Sequence, residues 1–267
     1  MNGCRTCRLR SFLLAAGSLC RRELVRFLRD RSRVVGSIAH PLVFWFLLGS
    51  GLWESFRHAG TPGGADYLQY FFLGTVMLVV LFTAIFATIS LIEDRHEGFL
   101  QSVLAAPIPR SAMVAGKVLG AALLAFLHGL AFLLLAPAAG LSLDLAGWAL
   151  ALSSMFLASA GMAGLGFIIA WKLDSTQGFH AVMNLLLIPM WMLSGALFPS
   201  AGAPAWLKAL VALNPMTYAV LALQGSLRVG GVHPLAPDAP MGLCLAVMAG
   251  FFLLTGAASV VLADRCE

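Results

Sequence analysis

Long apolar runs alternate with short charged clusters along the chain. Seven stretches carry no Asp, Glu, Lys or Arg: 34–53, 67–92, 118–143, 145–171, 175–207, 209–227 and 239–263. A helix needs ~20 apolar residues to cross ~30 Å of hydrocarbon, so six of these are long enough and 209–227 is marginal. Only helices and closed barrels satisfy their backbone groups in lipid, and none of the runs shows the polar–apolar alternation of a barrel strand. The pattern predicts an all-α membrane protein with six transmembrane helices, at about 34–53, 67–92, 112–137, 146–171, 178–198 and 240–263. The marginal stretch holds Asn214, Pro215, Thr217, Tyr218 and Gln224. Pro199, Pro204 and Pro215 interrupt helix there, and Trp206 and Tyr218 suit a membrane interface. Residues 199–227 therefore read as a re-entrant outer helical hairpin between spans five and six. A seventh full span, which would put the C-terminus outside, is the alternative.

Composition agrees with the pattern. The chain is 60% hydrophobic and only 11% charged, with mean hydropathy +0.90, whereas a soluble domain carries about 25% charged residues. The net charge of +5 reads as topology. Nine arginines precede residue 34, and with that end in the cytoplasm Arg95, Arg110, Lys117, Lys172 and Arg265 also fall inside, leaving Arg57, Lys208 and Arg228 outside. That asymmetry obeys the positive-inside rule and predicts a cytoplasmic-membrane protein with both termini cytoplasmic. No separate basic domain exists to bind nucleic acid.

Residues 1–33 predict an amphipathic interfacial helix rather than a cleavable signal, because an arginine-rich segment follows the short run Phe12–Leu19. Arg22, Arg26, Arg29 and Arg33 form one stripe, with Cys20, Leu24, Phe27 and Leu28 opposite. Such a stripe would meet the phosphates of membrane lipid.

The residues offer little catalytic chemistry. Cys4 and Cys7 form a CxxC pair with no second pair or His cluster to complete a metal site. There is no GxxxxGK[ST], HExxH or GxSxG. No cofactor is expected on this chain. Gradient-driven carriers place ionisable groups within their spans, but here only His40 and His128 stand there, and both read as packing histidines. Active transport would then need a separate ATPase.

The loop after the second span is the most informative segment. It runs Glu93-Asp94-Arg95-His96-Glu97-Gly98-Phe99-Leu100-Gln101-Ser102-Val103-Leu104. Acids open it, which favours a helix N-terminus. Phe99, Leu100, Val103 and Leu104 follow at helical spacing, and Pro107 and Pro109 end it. The expected product is a short cytoplasmic helix over 93–106 with an apolar edge framed by charge, as helix-in-groove recognition requires.

Several elements occur together and in order: the basic N-terminal helix, Glu93–Gly98, Leu104-Ala105-Ala106-Pro107-Ile108, Gly116-Lys117, Leu197-Phe198-Pro199 and Leu213-Asn214-Pro215-Met216-Thr217-Tyr218. In this the chain resembles the ABC-2 type permease family, the membrane subunits of type-2 ABC exporters for drugs, polysaccharides and nodulation factors. The resemblance covers nearly the whole chain. It implies a six-span domain over 34–263 that works as a dimer, expected to be two copies of this chain, with two ABC ATPase subunits that carry the ATP and Mg. The loop Glu93, Asp94, Arg95, His96, Glu97, Gly98, Phe99 and Leu100 then matches the family's coupling helix, seated in a cleft of the ATPase. The short outer loop 54–66 leaves no room for a large extracytoplasmic domain. Spans one, two and five would line the pathway, with Trp45, Phe46, Thr83, Thr88, Asn184 and Trp191 as candidates, and an apolar pathway suits an amphipathic, lipid-linked or drug-like substrate. Gly116–Gly120 and Gly161–Gly166 suit close helix approach. A gradient-driven carrier, active without ATP, and a scaffold that binds without vesicle flux are the alternative readings.

Overall fold

The computed structural model describes residues 2–29, 31–51, 67–142, 144–197, 204–227 and 240–265. Every regular element among them is helical: α1 (Asn2–Arg29), α2 (Arg31–Gly51), α3 (Tyr67–Phe86), α4 (Ser90–His96), α5 (Phe99–Ala105), α6 (Arg110–Leu133), α7 (Leu145–Lys172), α8 (Thr176–Leu193), α9 (Ala205–Leu213), α10 (Pro215–Ser226) and α11 (Met241–Arg265), with short 3-10 turns at Ala87–Ile89 and Ala136–Ala139.

Four helices are long and apolar enough to cross a membrane: Leu68–His96, which joins α3 to α4 through the 3-10 turn, then α6, α7 and α11. The pair α9 and α10 counts as a fifth only if taken as one broken span, and it bends by 82°. The helices expected as spans one and five are formed as α2, 21 residues with Pro41 inside, and α8, 18 residues with Pro189 inside, but neither belongs to the four. Six spans are thus an expectation that length and composition support only to four or five. The outer loop 54–66, Pro199, Arg57 and Arg228 lie outside the described residues, as do the side chains of Cys4, Cys7, Arg33 and His40.

Helix starts follow from side-chain caps. The Asp144 carboxylate accepts from the Gly147 amide at 2.8 Å, opening α7. The Ser175 hydroxyl accepts from Gly178 at the head of α8, satisfying donors that the helix itself leaves free. At the bend, Asn214 serves twice. Its Oδ1 accepts from the Met216 amide at 3.0 Å, and its Nδ2 donates to the Met190 carbonyl in α8 at 2.6 Å. Pro215 fills the first position of α10, where its missing N–H costs nothing. The carbonyl of Ser226 lies against Gly147 at the start of α7, while Pro215, Met216 and Ala219 share a small apolar cavity with Leu157, Ala158 and Met162 halfway along it. So α10 runs antiparallel to α7, from its middle back towards its beginning.

Small residues sit where helices cross. A Cβ at Gly164 would lie 2.6 Å from Thr255 Oγ1, and the freed space lets Thr255 and Ser259 of α11 donate to the carbonyls of Gly161 and Gly164 at 3.1 and 3.2 Å. Gly116 and Gly120 give α1 the same intimacy with α6. Cβ atoms there would lie 2.8 Å from Leu19 Cβ and 2.9 Å from Glu23 Cβ. Ala16, Leu19 and Cys20 therefore track along α6 in the same direction, and α1 packs lengthwise on that helix.

Candidate functional site: a buried charge cluster behind the 93–105 segment

The segment expected as one helix over 93–106 divides in two. Glu93–His96 close the long α3–α4 rod, and α5 covers only Phe99–Ala105. Between them Gly98 takes φ of 75°, a left-handed conformation that glycine adopts without a Cβ penalty. The chain therefore turns at Gly98 while both flanks keep helical hydrogen bonding. The segment leaves at Pro107 and Pro109, and α6 begins at Arg110.

Asp94 is the centre of the site and is fully buried. Arg22 of α1 grips it with both guanidinium nitrogens, Nη1 to Oδ2 at 2.9 Å and Nη2 to Oδ1 at 2.8 Å. Arg26, one turn on, donates to Asp94 Oδ1 at 3.0 Å, to Glu93 at 2.9 Å and to Glu97 at 3.3 Å. Lys117 of α6 reaches the same carboxylate from the other side, and also donates to Glu23 at 2.7 Å and to the Ser90 hydroxyl at 3.4 Å. Glu23 and Lys117 are each 5% exposed. Burying these charges is costly, and only dense mutual pairing offsets the loss of water. The forked Arg22 contact is the strong, direction-specific kind.

A second grip holds the far side of α4. Arg95 donates to the carbonyls of Trp171 (2.8 Å) and Leu173 (3.3 Å) and to the Asp174 carboxylate at 2.6 Å, with its guanidinium over the Trp171 ring. His96 Nε2 lies 2.7 Å from the Asp174 carbonyl. Arg95 thereby satisfies last-turn carbonyls of α7, which have no partner within the helix.

The apolar edge of the segment faces its own chain. Leu100 is buried, and Phe99 lies half-buried under the Arg22 guanidinium, 3.7 Å from its ring centroid. His96, Glu97, Gln101, Ser102, Leu104 and Ala105 remain exposed. The arginine stripe also divides: Arg22 and Arg26 turn inward to the acids instead of outward to lipid, and Arg29 is exposed. Sequence reasoning missed Lys117 and Glu23 as members of the cluster. Their signal was faint: one lysine in an apolar helix, and one of only two acids before residue 54.

The pathway candidates are not brought together within one chain. Trp191 is buried and donates Nε1–H to the Gly74 carbonyl at 2.9 Å. Thr88 is buried and returns its hydroxyl to Ile85. Trp45 donates to the Leu68 carbonyl at 3.2 Å and packs on Phe72. Thr83 is half-buried, while Phe46 and Asn184 face outward. His128 bonds the Leu124 carbonyl and stands edge-on to Phe27. Among the described residues no group of three or more His, Cys, Asp or Glu could hold a metal ion.

A body of apolar membrane helices with a braced 93–105 segment has clear relatives. The sequence matches the ABC-2 type transporter family over residues 15–227. It is 28% identical over 230 residues to Nodulation protein J of Sinorhizobium fredii, covering 84% of each chain. It is 26% identical over 206 residues to the putative transport permease ycf38 of Cyanophora paradoxa, covering 76% of this chain and 70% of that one. Against the daunorubicin resistance ABC transporter permease protein DrrB1 of Streptomyces coeruleorubidus it is 28% identical over 235 residues, covering 86% and 78%. This chain, with its apolar helices and its charge-braced 93–105 segment, belongs to the ABC-2 type transporter family of membrane transport permeases.

Proposed function

We propose that this chain is the membrane subunit of an ATP-driven exporter in the cytoplasmic (inner) membrane, with both termini cytoplasmic. It works as a homodimer embedded in lipid, each copy crossing six times, with α9 and α10 as the re-entrant outer hairpin. Two ABC ATPase subunits carry ATP and Mg and supply the force. The carrying observation is the bracing of α4. Asp94 and Arg95 fasten it to α1, α6 and the α7–α8 turn, while Glu97 and, in α5, Gln101, Ser102 and Leu104 remain exposed. A segment rigidly tied behind and exposed in front suits a lever seated in a partner's cleft.

In this mechanism ATP closes the ATPase pair, which shifts α4 and α5 as a unit. The partner's differential affinity for two states of this subunit is the whole energy input. The shift reaches α8 through the Arg95 tie, and the outer hairpin through the Asn214–Met190 bond. An amphipathic, lipid-linked or drug-like molecule is the substrate class, in keeping with the name of the daunorubicin relative. Cysteine at Gln101 or Ser102, combined with a homobifunctional cross-linker, should trap a protein bearing a Walker motif, and vesicles containing both should show ATP-dependent flux. Complexes that never contain a nucleotide-hydrolysing chain, or cysteine labelling of Gln101 from the outside of intact cells, would refute the reading.

A further inference from the structure

The arginines of α1 sort into two sets with opposite surroundings. Arg22 and Arg26 are spent on acids. Arg10, Arg21 and Arg29 are exposed, and no ion pair among the described residues reaches them. The only acid of α1, Glu23, points the other way, into Lys117. At 3.6 residues per turn, Arg10, Leu14, Arg21, Val25, Leu28 and Arg29 fall within about 100° of arc. Leu14 and Leu28 are more than 60% exposed. One face of α1 thus mixes free guanidinium groups with bare leucines, which water solvates poorly.

Depth decides what meets this face. The Leu68–His96 rod has 29 residues, about 43 Å at 1.5 Å per residue, longer than ~30 Å of hydrocarbon. Asp94, two residues from its end, therefore stands at the headgroup layer, and Arg22 and Arg26 are at Asp94. Because α1 runs along α6 from this level into the bilayer, Arg21 meets the headgroup layer. Arg29, about 10 Å deeper at 1.5 Å per residue, reaches back to it with its long side chain, while Val25 and Leu28 lie against acyl chains. Arg10 and Leu14 stand outside that layer.

We propose that the outward face of the second half of α1 is a binding surface for anionic phospholipid, with Arg21 and Arg29 on headgroup phosphates. Because the same helix holds Asp94 through Arg22 and Arg26, bound anionic lipid presses α1 onto α6 and stiffens the brace behind α4. The inference needs only a membrane-embedded chain and stands apart from ATPase docking.

The test uses the full chain in nanodiscs of phosphatidylcholine with increasing phosphatidylglycerol, read by thermal unfolding without any ATPase. Phosphatidylglycerol should raise the unfolding midpoint, and ~0.5 M salt should remove much of the rise, since such contacts are screened. A basic residue near an anionic surface strengthens binding about fivefold. The phosphatidylglycerol fraction giving half the rise should therefore grow about fivefold for Arg21→Gln, and the rise should vanish for Arg21→Gln/Arg29→Gln. The matching double lysine variant keeps the charge and should keep the rise, which separates charge from folding defects. An undiminished, salt-resistant rise in the double glutamine variant would overturn the proposal. So would hydrogen exchange in which residues 21–29 become protected only on adding an ATPase subunit, which would assign the face to protein.

Discussion

Replacing Asp94 with alanine removes one carboxylate that accepts from Arg22 twice, from Arg26 and from Lys117. The arginines are about 30% exposed and can turn to water, and Arg26 keeps Glu93 and Glu97. Lys117 cannot turn out, being 5% exposed, but it keeps Glu23 and Ser90. Breaking one partner of a buried pair costs about 3–5 kcal/mol, and the surviving contacts put this case near the lower end, about 3 kcal/mol. With about 2–4 °C per kcal/mol for a chain of this size, Asp94→Ala should lower the unfolding midpoint by about 6–12 °C. Lys117→Met alone should also destabilise, by leaving the buried Glu23 with only the longer Arg22 contact and taking one of three cations from Asp94. The double variant removes both charges and should be more stable than the sum of the single losses by more than 1 kcal/mol, as expected for directly coupled neighbours. Thermal unfolding of the four proteins in one detergent measures this cycle. Additive losses would show that Lys117 and Asp94 are independent and would refute the brace.

Arg95→Lys keeps the charge but loses the planar fork that spans two carbonyls and Asp174. It should cost under about 1 kcal/mol, because Asp174 is exposed, yet in a reconstituted transporter it should separate ATPase turnover from flux; equal loss of both would argue against the tie. In Gly98→Leu the added Cβ meets no neighbouring atom, but the residue must hold φ of 75°, costing about 1–2 kcal/mol. Circular dichroism should stay unchanged while ATPase stimulation falls. Gln224 is 1% exposed with neither amide atom partnered, so Gln224→Leu should stabilise the chain by about 1–2 kcal/mol, and a lower unfolding midpoint would contradict this. Burial first, and Glu23 second, push the Cys20 thiol above its ordinary pKa. A raised pKa means less thiolate at neutral pH, so maleimide should label Cys20 slowly at pH 7 and faster as pH rises past the ordinary thiol range. Glu23→Gln should speed it, and a rate already maximal at pH 7 would count against the burial.

What could be read from the residues was whatever depends on composition along a single helix. The charge-free runs marked α3, α6, α7 and α11 as membrane helices because lipid solvates only such runs, and the Asn214-Pro215 pair marked the bend because one residue caps and the other cannot continue. Partner choice was not legible. The stripe of Arg22 and Arg26 is the same on a helical wheel whether lipid phosphate or Asp94 faces it, and 72 residues separate Arg22 from Asp94. The division at Gly98 was hidden because the apolar spacing of Phe99, Leu100 and Val103 continues the helical period, and only the backbone angle breaks it. Trp191 and Asn184 looked alike as polar breaks in α8, yet one fills the core and the other faces outward, since position around α8 separates them.

The seam between α7 and α11 bears on how the protein is made. Two glycines and two hydroxyl residues form that seam, and α11 also buries Cys244, Met248 and Ala263. The groove side of that seam belongs to α7, whose Gly161 and Gly164 leave the ribosome 94 and 95 residues before Thr255 and Ser259. When α11 emerges into the membrane it finds a finished receptor, and Arg110 of α6 waits to bind the Ala263 and Asp264 carbonyls. Insertion of α11 should therefore be a docking event late in biogenesis, and a bulky residue at Gly161 or Gly164 should leave it loose in the bilayer, a substrate for quality-control proteases.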